Sequence, residues 1–365
     1  MRAELRTAHL HYGNGVQLHT AASGNVASLH ALYLLLHDEN LDAIAEVRIN
    51  IPYLNGYGPQ AVIDDALATL AKANWAQGAG ALLAELDEWA AGCTLPVRNL
   101  IDVALHDWLA KRAGVALAVY LGAQPAPNAA WGTNQTLFWS PFDTFIQQAR
   151  AYVARGYREL KVRVAVADFA EDLRRIKALR DEFGDEVKIS ADANGQWSYA
   201  GAQHHLDLLA GYGLAYLEQP IAAGDWDALG RLAETSPLPL MVDESLASPE
   251  DVARLCELRG RIWAHLKLVK LGGIGPSIAA AHSLQRAGVP FMIGQMNEGA
   301  AATAAALHVA CATGPAFAEL YGADGLVDDA AAGIRYAAGR VQAAAQPGLG
   351  VTFDATKTQL IRSFQ

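Results

Sequence analysis

The chain has 365 residues, 52% of them hydrophobic and 18% charged, with a formal net charge of −10 at pH 7. That composition excludes extensive disorder and leaves room for more than one hydrophobic core. The charge is spread without acidic or basic blocks, so nothing marks a nucleic-acid or anionic-membrane partner, and a small molecule is the expected ligand. No apolar run reaches transmembrane length, and the start MRAELRTAHLHYG lacks a signal-peptide core, so a cytoplasmic protein is expected. Cys93, Cys256 and Cys311 lack paired spacing and are read as small buried hydrophobes, not as a disulfide or thiolate zinc site.

In chain order, the first 60 or so residues alternate apolar and polar in short runs, at 32–36 and 44–51, broken by Gly13-Asn14-Gly15 and Asp38-Glu39-Asn40. This predicts a small antiparallel sheet. Apolar residues three and four apart at 64–75, 80–91 and 99–112 predict a helical layer packed on it. Beyond residue 130, eight short β-type runs recur at 132–136, 159–164, 187–192, 215–218, 240–243, 263–268, 290–294 and 317–320, most of them about 25 residues apart. A βα unit of that length, repeated, closes into a parallel barrel. Helix starts are signalled by Ser140-Pro141, by Asp168 with Glu171, and by Ser248-Pro249-Glu250-Asp251. Gly156, Gly184 and Gly288 stand where helices should end. From about residue 325 the chain is Ala- and Gly-rich and is expected to leave the barrel and pack on the N-terminal domain.

In such a barrel the carboxyl ends of the strands meet at one mouth, and here those ends are charged. Asp192, Glu218 and Asp243 end three successive strands at nearly the same depth. Three convergent carboxylates would repel one another, so a cation is required, and an all-oxygen set with open positions suits Mg²⁺, with Mn²⁺ as the alternative. Lys161 and Arg163, two apart and so on one face, lie across the mouth from Lys267. Crowding of the first two is expected to lower the lysine pKa. Lys270, three residues after Lys267, is expected to face away, on the surface or in a loop.

These motifs resemble the enolase superfamily, in its mandelate racemase and muconate lactonizing enzyme group. GYRELKVR (Gly156–Arg163) is similar to the family's Lys-x-Lys strand, SADANGQW and YLEQP to its first two metal-ligand strands at Asp192 and Glu218, and MVDES to the third at Asp243. LKLVKLGGI (Leu266–Ile274) resembles the strand carrying a catalytic lysine before a Gly-Gly turn, and Lys267 with Asp243 points to the muconate lactonizing-like branch. The resemblance covers essentially the whole chain. It implies an α/β fold, a TIM-type (β/α)7β barrel at 126–324, with an α+β capping domain at 1–125 completed by the tail at 325–365.

It further implies a metal-dependent enzyme that removes the proton alpha to a substrate carboxylate to give an enediolate. Lys161, Arg163 and Lys267 would be the catalytic residues, Asp192, Glu218 and Asp243 the metal ligands, and Asn194 and Glu244 supports of those ligands. Candidate substrate contacts are Asn14, Gly15, Tyr53, Asn55 and Tyr57 in the capping loops, and Asn134, Gln135, Gln295, Asn297, Glu298, Glu319 and Tyr321 around the mouth. A small carboxylic acid is the expected substrate and a homo-oligomer, dimer to octamer, the expected assembly.

One position departs from the family pattern. The usual base, the second lysine of Lys-x-Lys, is Arg163 here, and a guanidinium is effectively never deprotonated. Lys267 is therefore the expected principal acid/base, with Arg163 holding an anion. An isomerase, either a cycloisomerase or a racemase/epimerase, is the first reading. A lyase that dehydrates a sugar acid or forms o-succinylbenzoate is the alternative, and a non-catalytic binding relic the third.

Overall fold

The protein was analysed as a computed structural model, which describes residues 1–13, 18–38, 41–125 and 129–365. Strands β1 (Arg2–Leu10), β4 (Leu29–Asp38) and β5 (Leu41–Arg48) form the antiparallel sheet expected at the N-terminus, with the hairpin β2 (Leu18–Thr20) and β3 (Gly24–Val26) between the first two. Helices α1 (Pro52–Asn55), α2 (Pro59–Leu70), α3 (Ala79–Ala84), α4 (Leu86–Trp89), α5 (Leu95–Arg112) and α6 (Leu117–Tyr120) follow. The helix expected at 64–75 begins earlier, because Pro59 is suited to a first turn. Most of α5 is buried, and its acids tie regions distant in sequence together. Asp107 accepts from Ile44 N (2.9 Å) and Leu349 N (2.7 Å), and Asp102 accepts from Ile274 N (2.6 Å).

The run expected at 132–136 divides in two. Strand β6 (Ala130–Gly132) turns outward to pair with the tail, and only β7 (Gln135–Leu137) enters the barrel. Thereafter helix and strand alternate as the spacing predicted: α7 (Phe142–Ala154), β8 (Glu159–Arg163), α8 (Phe169–Phe183), β9 (Lys188–Asp192), α9 (Tyr199–Leu209), β10 (Leu217–Glu218) and α10 (Trp226–Thr235). Next come β11 (Leu240–Val242), α11 (Pro249–Glu257), β12 (Ile262–Lys267), α12 (Leu268–Leu271), α13 (Ile274–Ala287), β13 (Phe291–Gly294), α14 (Ala300–Thr313) and β14 (Phe317–Glu319). Neighbours from β7 to β14 pair in parallel, and Asn134 N donates to Ala318 O (2.9 Å), joining the first strand's approach to the eighth. The result is a (β/α)7β barrel.

Asp168 and Ser248 cap their helices through Glu171 N and Asp251 N, whereas at α7 the cap position is Pro141 and Ser140 caps nothing. Gly156, Gly184 and Gly288 end helices with positive φ. The three cysteines are free and half-buried, less enclosed than expected. Beyond the barrel, β15 (Ala331–Ala332), β16 (Ile334–Ala337), β17 (Arg340–Ala343), β18 (Thr352–Phe353) and β19 (Gln359–Phe364) complete the chain. β17 pairs with β6, and β19 pairs antiparallel with β1, so the tail returns to the N-terminal sheet.

Period-2 alternation stacks the barrel interior in layers. Tyr216, Met241 and Met292, with Trp263 and Phe317 against them, form an apolar floor. Two residues further along the same strands come Glu218, Asp243, His265 and Glu319, all buried. The floor thus lines the lower side of the charged layer with apolar side chains.

Candidate active site

Lys161 and Arg163 end β8, Asp192 ends β9 and Glu218 ends β10, and the pairs Arg163↔Asp192 and Asp192↔Glu218 lie in register. Asp243 follows β11, with Lys267 at the end of β12 and Glu319 at the end of β14. The strands thus bring together every catalytic and metal-ligating candidate named from sequence. Lys161 Nζ lies 2.5 Å from Glu319 Oε2, 3.1 Å from Glu218 Oε2 and 3.4 Å from Asp192 Oδ2. Arg163 Nη1 pairs closely with Asp192 Oδ2. Lys267 Nζ is 2.6 Å from Asp243 Oδ2 and 3.3 Å from Met296 Sδ.

Two expectations are overturned. Burial alone would lower the Lys161 pKa, but the Glu218 and Glu319 carboxylates outweigh it and hold the ammonium well above its ordinary value. Arg163 does oppose its neighbour, as expected, yet Glu218 and Glu319 each act on it more strongly. Lys270 does not face away. It is buried, with Nζ 2.5 Å from Asp243 Oδ1 and 3.0 Å from His265 O. The chain leaves β12 directly into the helical turn α12, where a residue three positions on returns to the same side. The Gly272-Gly273 turn that follows requires glycine, since Gly273 has φ of 130° and a Cβ there would overlap the Asp102 carboxylate.

Sequence reasoning also missed His265. It is fully buried, with Nδ1 2.9 Å from Glu218 Oε1 and 4.0 Å from Asp243 Oδ2. Its place two residues before Lys267 on one strand was the available signal. Burial, reinforced by Lys267, pushes its pKa well down, so the imidazole is neutral. Gln219, also missed, accepts from Asp243 N and Ser245 N (3.1 Å each) and sets the loop that carries Asp243.

The acids divide by their cation partners. Burial raises Asp192 and Glu218 above the ordinary carboxylate range, and repulsion among the acids adds to it. Despite burial, Asp243 is held well below that range by Lys267 and Lys270, and Glu319 is lowered to about 2, chiefly by Lys161. Glu244, whose Oε1 accepts from Asn194 Nδ2 (3.1 Å), is raised to about 7 by burial and then by Asp243 and Asp192.

These donors fit a divalent cation. Glu218, Asp243 and His265 offer ligand atoms within 4.8 Å of one another, and Asp192 stands beside Glu218 with Oδ2 turned to Arg163 and Lys161. Asn194 Oδ1 and Glu244 Oε2, buried next to this cluster, have no hydrogen-bond partner among the described residues.

Above the charged layer is a cavity of about 30 Å³, room for about two waters. The hairpin contributes Leu18, Thr20, Ser23 and Val26, and the rest of the cap contributes Arg48, Tyr53 and Leu54. The barrel contributes Phe138, Arg163, Asn194, Asp243, Glu244, Lys267, Gln295, Met296 and Asn297. Of the expected substrate contacts, Tyr53, Gln295 and Asn297 therefore line it. Asn55 instead accepts from Tyr57 N (3.0 Å), and Tyr57 is exposed and stands outside the lining. Asn134 donates to Glu319 Oε2 (3.4 Å) below the cavity. Glu298 accepts from Arg48 N and Met296 N, so it braces the wall without facing the space. Gln135 and Tyr321 are buried in the barrel wall, Tyr321 against Phe138. Asn14 and Gly15 lie outside the described residues.

The family described as Enolase C-terminal domain-like matches residues 144–357. An N-succinyl-L-Arg/Lys racemase of Bacillus cereus is 29% identical over 211 residues, 58% of this chain and 56% of its own length, so the aligned part spans little more than half of that relative. Its crystal structure superposes with a TM-score of 0.90 at 22% identity, covering 99% of each chain. An L-Lys-D/L-Arg epimerase of Methylococcus capsulatus is 31% identical over 70% of this chain and 72% of that one. A dipeptide epimerase of Cytophaga hutchinsonii, solved with Mg and the dipeptide D-Ala-L-Val, has a TM-score of 0.89 at 21% identity, covering 100% of this chain and 99% of that one.

Proposed function

Because the chain belongs to the enolase superfamily, in the group of mandelate racemase and muconate lactonizing enzymes, and is an enzyme of that kind, we propose that it is an isomerase acting on a small carboxylic acid. The reaction begins with removal of the proton from the carbon beside the carboxylate, giving an enediolate. Asp192, Glu218 and Asp243 would hold the divalent ion, Mg²⁺ or in its place Mn²⁺, with Asn194 and Glu244 bracing them. When bound, such an ion would supply positive charge for the oxygens that become anionic.

Lys267 is the acid/base, since its ammonium reaches the cavity from β12; burial acts to lower its pKa, but Asp243, followed by Glu319 and Glu218, holds it above the ordinary lysine value in the metal-free protein. Arg163 reaches the same cavity from the opposite strand and orients the substrate anion without exchanging a proton. Lys161, fixed among three acids, holds their geometry. The observation that carries this reading is the unequal pair Lys267 and Arg163 on strands diametrically placed around the carboxylates. It favours chemistry on one face, as in a cycloisomerisation. The same inequality supports the second reading, a lyase removing water from the same face.

The reading also divides the chain into a cap at 1–125, a barrel at 126–324 and a tail at 325–365, acting as a cytoplasmic homo-oligomer. The tail's pairing with β1 supports the division, and no helix of the described residues is long and apolar enough to cross a membrane. The test is NMR in D₂O with Mg²⁺ and a panel of N-acyl amino acids, dipeptides, muconates and sugar acids. Loss of an α-proton signal that stops on chelation is expected, with an isomeric product. Loss of water from a sugar acid would move the assignment to the lyase, and absence of exchange across the panel would refute proton abstraction.

A further inference from the structure

The cavity above the charged layer holds one cation that no acid answers. Arg48, at the end of β5 in the cap, lines that cavity and is only 2% exposed. Its guanidinium donates to uncharged oxygens, Nε to Asn50 Oδ1 (2.8 Å), Nη1 to Met296 O (2.8 Å) and Nη2 to Asn50 O (3.4 Å), and makes no ion pair among the described residues. Glu298, the acid on the adjoining loop, is spent on main-chain groups. Its Oε1 accepts from Arg48 N and its Oε2 from Met296 N (3.1 Å each).

The other cations on the cavity wall are placed differently. Arg163 is paired with Asp192 and Lys267 with Asp243. A buried charge without a counter-ion is expensive, and the neutral oxygens around Arg48 fix the direction of its fork without answering its charge. Part of that N–H fork stays free, in the planar arrangement that matches a carboxylate. A cationic group would find no such welcome. Of the two acids on the wall, Asp243 is shared by Lys267 and Lys270, and Glu244 accepts from Asn194 Nδ2.

We infer that Arg48 reads the far end of the substrate, and that this end carries a second carboxylate. Arg163 on the barrel and Arg48 on the cap then hold the two anionic groups of a diacid, with Leu18, Val26, Leu54 and Phe138 offering apolar wall to the carbon chain that joins them. Met296, whose carbonyl fixes Arg48, also places its Sδ 3.3 Å from Lys267 Nζ, so the fork stands one residue away from the acid/base. The inference rests on the reading of this cavity as the substrate site and names the chemistry that the cap selects.

The test gives the full-length protein, with Mg²⁺, N-succinyl-L-alanine, N-glutaryl-L-alanine and muconate, each beside the compound whose far carboxylate is a carboxamide. Calorimetry reads binding, and NMR in D₂O reads α-proton exchange. In at least one pair the diacid is expected to bind more tightly and to show a kcat/KM about 100-fold above that of its monoamide, through KM. Arg48→Gln should reduce that ratio to about three-fold or less, and Arg48→Lys, which keeps the charge without the fork, should restore it to about ten-fold. A merely structural Arg48 would lower both members of a pair by one factor and leave the ratio intact, which would overturn the inference. Wild-type protein that fails to distinguish the members of any pair would overturn it too. Preferential binding of a diacid without α-proton exchange would uphold the inference while refuting proton abstraction.

Discussion

The two sides of the barrel mouth are built from similar residues and do different things with them. On the β8 side, Lys161 and Arg163 are locked against Asp192, Glu218 and Glu319, with an arginine where a lysine could have given up a proton. On the β12 side, Lys267 and Lys270 divide a single carboxylate, Asp243, so Lys270 can keep that acid neutralised while Lys267 turns to the cavity. Each further carboxylate makes loss of a proton costlier, and the acids raise both lysines, Lys161 by Glu218, Glu319 and Asp192 and Lys267 by Asp243, Glu319 and Glu218. On the proposed reading the direct ion pairs, three acids on Lys161 against one on Lys267, separate a structural side from a reactive one.

The sharpest way to break this comparison is Lys267→Ala, which is expected to lower turnover about 10³–10⁴-fold while divalent-ion binding persists. NMR exchange rates and a metal titration measure the two separately. Full turnover in that variant, with none in Lys161→Ala, would reverse the roles of the two sides.

Next in size is folding stability. Lys161→Ala leaves three buried acids without their shared cation and should cost about 3–5 kcal/mol in urea unfolding of the metal-free protein. Lys267→Ala should cost clearly less, because Asp243 keeps Lys270. Equal losses would erase the distinction.

A third effect lies outside both sides and must be subtracted before any acid dependence is assigned to the mouth. His308 accepts from Ala118 N through Nδ1 (3.1 Å), and burial pushes its pKa from 6.5 down to about 4. The unfolded chain therefore binds the proton more readily, and stability present above pH 6.5 falls by about 3 kcal/mol as pH drops to 4. Unfolding at pH 7 and 4.5 measures the slope, which His308→Gln should flatten even though the variant starts less stable.

The smallest effect sharpens the one-face reading. Arg163→Lys should change the rate of the existing reaction by no more than about ten-fold, or about 1.4 kcal/mol, while opening exchange to the mirror-image substrate. If the wild-type protein already exchanges both enantiomers at similar rates, a second base operates on the β8 side and the inequality between the sides has been misread.

Much of this molecule is decided locally. The repeat of about 25 residues, the alternation along each strand, and an acid at the end of three successive strands require only near neighbours, which is why barrel, mouth and carboxylates were legible in the sequence. Where helices begin was legible less evenly, because Pro59 and Pro141 set starts that side-chain caps do not.

Charge state and cavity shape belong to the tertiary structure, because they sum over groups far apart in the chain. Whether Lys161 holds its proton depends on Glu319, which arrives on the last strand of the barrel. Whether Lys270 belongs to the site depends on a single helical turn reversing its direction, and His265 matters because Glu218 and Asp243 converge on it. Which loop residues line the cavity depends on the packing of the cap on the mouth, which brings Leu18 and Arg48 to it and leaves Asn55 and Tyr57 outside. Periodicity places a side chain on a face, and only the folded chain determines what stands opposite.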